Sequence, residues 1–251
     1  MPTSSAANWA SVMFATDPVK HGVVDQDLWN FSHTVHDKVN PNQISIFEAI
    51  KDKYSSSNLF SFASEGSMIA DFKPEGKTSI KDIVLASGNY NQTETDDQTF
   101  DVTKKTLENK PLFSFFYYVN PDLAGHSREW NSEEYYQAIS QTDKYIGGVI
   151  QDLKDLAMWD DTLLIISSDH GGVSQYHGHG ANAEEEIPLL FFGKCIPKHG
   201  IIPDKIKIYD IPATIAWLLD IVNRPPIWDG QPILTPFFDM TNMYEHSEDF
   251  K

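Results

Sequence analysis

Ile165-Ile166-Ser167-Ser168-Asp169-His170-Gly171-Gly172, with His177-Gly178-His179-Gly180 just beyond it, joins an apolar run to a cluster of Asp, His and Gly. The apolar run from Leu163 to Ile166 predicts a buried strand that stops at Asp169 and His170, where two glycines let the backbone turn sharply. The carboxyl end of a strand is where open α/β folds place their chemistry. Asp and His are also the residue types that hold zinc through oxygen and nitrogen. The plain alternative is a strand that ends in a polar, glycine-rich loop.

A second cluster upstream weighs against that alternative. Leu112-Phe-Ser-Phe-Phe-Tyr-Tyr-Val119 is another apolar, aromatic stretch of strand type, and it runs into Asn120-Pro121-Asp122-Leu123-Ala124-Gly125-His126. Pro121 and Gly125 argue against a helix here, so the Asp122/His126 pair is expected on a loop. Two strand-end Asp/His pairs plus His177 make five ligands, about what a two-metal site needs when substrate fills the remaining positions.

The N-terminal segment supplies a third element. Thr3, Ser4 and Ser5 precede a stretch of helical character with Trp9, Val12 and Met13 on core spacing. A hydroxyl at a helix N-terminus sits where backbone N–H groups and the dipole favour negative charge, which suits an alkoxide and the phosphate it attacks. Alone, it reads as an ordinary N-cap serine.

Together these residues resemble the alkaline phosphatase superfamily, and within it the type I phosphodiesterase/nucleotide pyrophosphatase branch. The nucleophile segment of that family is matched by Ser5, Asn8, Trp9, His21 and Gly22. Its Pro-Asp-x-x-Gly-His pattern is matched by Pro121, Asp122, Gly125 and His126, and its Ser-Asp-His-Gly by Ser168 through Gly171. The last His-Gly, leading to acidic residues and Ile-Pro-Leu, is matched by His177-Gly178 and Glu184 through Leu189. The closing helix and loop correspond to Tyr209–Leu219 and Pro226–Gly230.

The resemblance implies an α/β fold with a mostly parallel central sheet flanked by helices. It implies hydrolysis of a small phosphate ester through a covalent phospho-serine intermediate and two divalent metal ions, zinc by preference. Ser5 would be the nucleophile, beside one metal held also by Asp169 and His170. Asp122, His126 and His177 would hold the other metal, with His179 the alternative to His177. An amide contact to phosphate falls on Gln26, where the family commonly has Asn. Nucleotide-cleaving members often carry an aromatic directly after the nucleophile, and here that position is Ala6. The family also has a strand and a metal-ligand Asp upstream of the nucleophile. With Met1 so close to Ser5, a single catalytic domain over 1–251, truncated at its N-terminus and lacking the first strand, is expected. The alternative is a catalytically silent member that serves as a binding module.

Composition fits one sizeable core: 251 residues, 41% hydrophobic. The net charge of −17 argues against nonspecific binding to nucleic-acid backbone. No stretch approaches the roughly 20 apolar residues that span a bilayer. Glu184-Glu185-Glu186 reads as solvated surface. Cys195, the single cysteine, excludes an intramolecular disulfide, and its Ile-Pro-Lys sequel lacks the Pro-x-Arg context of sulfatases in the same superfamily. Asn30-Phe-Ser32 and Asn91-Gln-Thr93 are glycosylation sequons, pointing toward a secretory or lysosomal route.

Elsewhere the pattern alternates as βαβ proteins do. Helices are expected over Ile44–Tyr54, Gln98–Asn109, Asn131–Leu156 and Tyr209–Leu219, and strands over Leu59–Ala63 and Ile187–Phe192. The longest helix is expected to start with an Asn131/Glu134 capping box and to bury Tyr136, Ile139, Ile146, Val149, Ile150 and Leu153. Lys77–Asp97 reads as a surface loop or lid.

Overall fold

The computed structural model describes residues 3–24, 42–63, 83–87, 95–194, 196 and 200–237. Strands β1 (Leu59–Ala63), β2 (Ile83–Ser87) and β3 (Phe113–Tyr117) form a parallel sheet in the order β2-β1-β3, with Leu59 opposite both Ile83 and Phe113. Strands β4 (Leu163–Ser167) and β5 (Leu189–Gly193) pair antiparallel in a second sheet. Helices flank both. The α/β class and the parallel arrangement of the first three strands are as the sequence led us to expect, whereas β4 and β5 lie in a sheet of their own among the described residues.

β2 is a correction. Residues 83–87 belong to the segment read as a loop or lid, yet Ile83-Val-Leu-Ala-Ser87 pairs along the whole of β1. The polar flanks hid a short apolar strand.

Helix α1 (Ser5–Phe14) is buried on every face, not along one stripe. Trp9 packs edge-on against Phe115 and Tyr117, with ring centroids 5.2 and 5.0 Å apart, and Phe47 meets Phe113 at 5.0 Å. The odd-numbered residues of β3 thus share one face, as the two-residue period of a strand dictates. That face seats α1 and helix α2 (Ile46–Lys53), which starts with a Ser45/Glu48 capping box. Beyond α1 the loop at 226–230 latches back onto it: the N–H groups of Asp229 and Gly230 donate to the Ala15 carbonyl, and Lys20 pairs with Asp229 at 2.7 Å.

Helix α3 (Thr95–Leu107) precedes β3, and helix α4 (Asn120–Arg128) follows it. The expected loop at 120–126 is therefore helical. Pro121 falls in the first turn, where its missing N–H costs nothing, and Gly125 is required by packing rather than by a turn. A Cβ on Gly125 would lie 2.6 Å from the Trp130 ring. The carboxylate of Asp96, fully buried, accepts from the N–H groups of Val119 and Asn120 at 2.9 and 3.1 Å and so caps α4 from a distant element.

The long helix α5 spans Glu133–Asp155 and is capped by Ser132, whose side chain accepts from Tyr135 N–H at 3.2 Å, so no Asn131/Glu134 box forms. Asn131 instead adopts φ 69°, and its side chain accepts from the Tyr136 hydroxyl. Val149 and Leu153 of the expected face are buried, but Tyr136 and Ile139 are exposed because only the C-terminal half of α5 packs on α3. Helix α6 (Asp210–Leu218), with Tyr209 as its N-cap, is followed by a loop and a single 3-10 turn at Thr235–Phe237.

Candidate active site

β3 and β4 both deliver polar side chains to one place. Asp122 and His126 lie one turn apart on α4, so they share its face. Asp169 and His170 end the β4 segment, and His177 returns from the loop beyond. Ser5, the first residue of α1, completes the group. Asn8 ties α1 to this point by donating to the Asp169 carbonyl at 2.7 Å.

The three imidazoles are held alike. Nδ1 of His126 lies 2.8 Å from the Gln175 carbonyl, Nδ1 of His170 lies 2.8 Å from the Gly171 carbonyl, and Nδ1 of His177 lies 2.9 Å from the Thr3 carbonyl. A carbonyl can only accept, so each Nδ1 carries a hydrogen, and Nε2, turned toward the other rings, is the nitrogen of each that can offer a lone pair to a cation. Nε2 of His126 and Nε2 of His177 are 3.0 Å apart, and the His170 and His177 rings stack at 3.7 Å. Two lone pairs at that distance repel unless a cation or a shared proton lies between them. Burial, followed by the neighbouring His170, lowers the His177 pKa to about 4, which keeps that ring neutral.

Carboxylates surround the same nitrogens. Asp122 oxygens lie 3.6 Å from His126 Nε2, 3.7 Å from His177 Nε2 and 3.9 Å from His170 Nε2, and an Asp169 oxygen lies 3.4 Å from His170 Nε2. Oδ1 of Asp122 and Oδ2 of Asp169 are buried without a hydrogen-bond donor. Burial pushes the Asp122 carboxyl up to about 6, against the pull of His126 and His170 and helped by Asp169. Buried carboxylate oxygens without donors, facing three anchored ring nitrogens, form a donor set that fits a divalent metal. The ligand atoms of Asp122, His126 and His177 alone fall within 4.8 Å of one another.

Ser5 stands at the edge of this cluster, with its Oγ 2.9 Å from His170 Nε2. Its helix has no side-chain cap from Ser4, so the first turn faces the cluster uncapped by that residue. His179 is exposed and its N–H goes to Glu184, so His177 rather than His179 joins the imidazoles. Gln26, Cys195 and both sequons lie outside the described residues.

The sequence matches the family described as type I phosphodiesterase / nucleotide pyrophosphatase over residues 1–184. The chain belongs to that family. It is 27% identical over 128 residues to GPI ethanolamine phosphate transferase 1 of Chaetomium globosum, which covers 49% of this chain and 14% of that protein. To phosphopentomutase of Alkaliphilus oremlandii it is 30% identical over 148 residues, covering 57% of this chain and 35% of the relative. This member of the phosphodiesterase family thus spans about a third or less of those relatives. Its fold is similar to that of Ps i-CgsB solved with κ-ι-κ-neocarrahexaose, with TM-score 0.66 and 14% identity over 94% of this chain and 66% of that one. No described helix of this family member is long and apolar enough to cross a membrane.

Two site features escaped the sequence. Trp130 is wedged between Gly125 and Gly172, where a Cβ would strike its ring on either side, and its edge meets the His126 and His177 rings at 5.1 and 6.0 Å. Glycines at 125 and 172 were the available signal. Glu184, read as surface, is buried at 1% exposure; only Glu185 and Glu186 of that run face solvent.

Proposed function

We propose that this chain is the catalytic domain of a metal-dependent phosphoric-ester hydrolase of phosphodiesterase/pyrophosphatase type. Ser5 is its nucleophile. Asp122, His126 and His177 would hold one divalent ion, and Asp169 and His170 a second beside Ser5, with zinc the best match to the nitrogen and oxygen donors. The observation that carries this is the set of three Nδ1-anchored imidazoles whose Nε2 atoms converge on Asp122 next to Ser5 Oγ.

Bound there, divalent ions supply Lewis acidity, lowering the pKa of water toward about 7 and neutralising charge on entering and leaving oxygens. The protein does the rest. The α1 N-terminus presents N–H groups and its dipole to a phosphate placed before Ser5. Ser5 Oγ attacks phosphorus, the alcohol departs, and water then breaks the serine–phosphorus bond, so one hard displacement becomes two easier ones. The His170 Nε2 lone pair can serve the Ser5 hydroxyl or a metal ion but not both, so loading the site frees the hydroxyl for reaction. The carbonyls of Gln175, Gly171 and Thr3 keep each ring in the ligating tautomer.

The test is zinc-supplemented hydrolysis of a chromogenic phosphodiester and a chromogenic phosphomonoester, with Ser5→Ala as control. Turnover that vanishes in the variant supports the assignment, and the faster substrate names the ester class. A folded, zinc-loaded chain with no turnover on either ester favours the silent binding module instead.

A further inference from the structure

Glu184, on a short helical turn (Asn182–Glu185), lies outside the metal-facing set yet bonds to three segments that build the site, at Thr3, at Gly171 and at 178–180. Its Oε2 accepts from the N–H groups of Gly178, His179 and Gly180 at 3.1, 2.9 and 2.9 Å, and from the Thr3 hydroxyl. Thr3 Oγ also accepts from Gly178 and Gly180 N–H at 3.0 and 3.2 Å. The Glu184 backbone carbonyl accepts from Gly171 N–H at 2.9 Å, just past His170. Gly171 has no room for a side chain there, since a Cβ would strike the Ala183 carbonyl.

Three consecutive N–H groups turned onto one oxygen require a backbone folded around it, and Gly178 and Gly180 allow this with φ of 97° and 71°. The carboxylate needs them as well: burial drives its pKa up, and the hydrogen bonds from Thr3, His179, Gly180 and Gly178 outweigh that and hold it below the ordinary range. Hydrogen bonds to an ionised acceptor are about twice as strong as neutral ones. The outcome is geometric: His177 leads into this clasped loop, and its Nδ1 rests on the carbonyl of Thr3, the residue whose hydroxyl Glu184 also holds. Ser5 follows Thr3 by two residues.

We infer, resting on the metal-dependent reading above, that Glu184 is a positioning residue: its buried carboxylate clasps the 178–180 amides and Thr3, and thereby fixes the ligand nitrogen of His177 relative to Ser5. Glu184→Ala leaves the His179 N–H without its acceptor and the Gly178 and Gly180 N–H groups with the Thr3 hydroxyl alone. Glu184→Gln keeps one acceptor oxygen without the charge.

The experiment measures zinc affinity by competition with a chromogenic chelator, and amide hydrogen exchange at residues 178–180, in the full chain. Glu184→Ala is expected to weaken zinc binding by roughly 10–100-fold, the usual cost of losing an outer support of a metal site, and to speed exchange at these amides. Glu184→Gln is expected to recover part of both, while Glu186→Ala matches wild type. Ile50→Val, which trims the core under α1, is expected to lower stability without changing zinc affinity. That separates positioning from general loosening. Wild-type zinc affinity in a folded Glu184→Ala variant would overturn the inference, and where that variant fails to fold, the same result in Glu184→Gln would do so. If wild type itself binds no zinc, the metal reading fails, and exchange alone decides: unchanged protection in the variants overturns the clasp, and lost protection upholds it.

Discussion

Helix α1 carries two serine–histidine pairs of nearly equal length, and they are opposite in kind. At its head, Ser5 Oγ lies 2.9 Å from His170 Nε2; six residues on, Ser11 Oγ lies 3.0 Å from His21 Nε2. What separates them is the partner of the other ring nitrogen. Val23 N–H donates to His21 Nδ1 at 3.1 Å, so the hydrogen sits on Nε2 and donates to Ser11. His170 Nδ1 donates to the Gly171 carbonyl, so its Nε2 is bare and faces Asp122 and Asp169. The inner pair is sealed, with both residues fully buried and Asp17 acting on the ring only as a nearby charge that burial outweighs. A serine beside a histidine is therefore not a reactive pair by proximity alone. The backbone group behind the ring decides whether the serine meets a donor or a lone pair.

The two pairs differ most in what their loss does to activity. Ser5→Ala is expected to cut phosphoester turnover by on the order of 10³-fold or more, whereas Ser11→Ala leaves kcat within a few fold, as measured on one chromogenic ester. Equal losses in the two variants would erase the distinction. Next in size is the metal. Asp122→Ala or Asp169→Ala removes a buried carboxylate that faces the bare nitrogens, so zinc affinity falls by more than the roughly 100-fold upper range for an outer support, with far-UV dichroism retained. A chelator competition reads this directly, and unchanged affinity in either variant would overturn its assignment as a ligand.

Smaller effects sharpen the inner pair. Ser11→Ala removes the hydroxyl acceptor of the buried His21 Nε2–H, which keeps its Ala7 backbone contact, at a cost of about 1 kcal/mol in urea unfolding. Burial lowers the His21 pKa to about 4. Between pH 6.5 and 4 the unfolded chain therefore takes up a proton that the native state refuses, so the stability His21 contributes is full above 6.5 and is lost as pH falls, by about 1.4 kcal/mol per unit. His177 acts in the same sense, and Asp122, raised to about 6, opposes both below pH 6. His21→Gln removes one of the two histidine contributions, so its stability is expected to vary less steeply with pH from 6.5 to 4 than that of wild type. An identical slope would show that His21 titrates alike in both states.

Much of this was legible in the chain. Strand ends at Asp169-His170, the Asp122/His126 spacing and the serine-rich start of α1 all follow from local pattern. Where the sequence misled, packing from distant residues was the cause. Pro121 and Gly125 look like a loop because local pattern does not show that Gly125 makes room for the Trp130 ring or that the distant Asp96 caps this helix. Ile83–Ser87 looked polar through its flanks, yet it pairs along β1. Glu184 looks identical to its two exposed neighbours, since the three amides and the hydroxyl that bury it come from 178–180 and from Thr3. Tyr136 and Ile139 carry the right period on α5, but nothing described covers them as α3 covers Val149 and Leu153.

The most direct test of the account is to trap the covalent intermediate. The zinc-supplemented protein is mixed with a chromogenic phosphodiester, quenched in acid and mapped by peptide mass spectrometry. A phosphoryl adduct on the peptide containing Ser5, present in wild type and Ser11→Ala and absent in Ser5→Ala, is the predicted result. Turnover that persists in Ser5→Ala with no adduct on that peptide would contradict it.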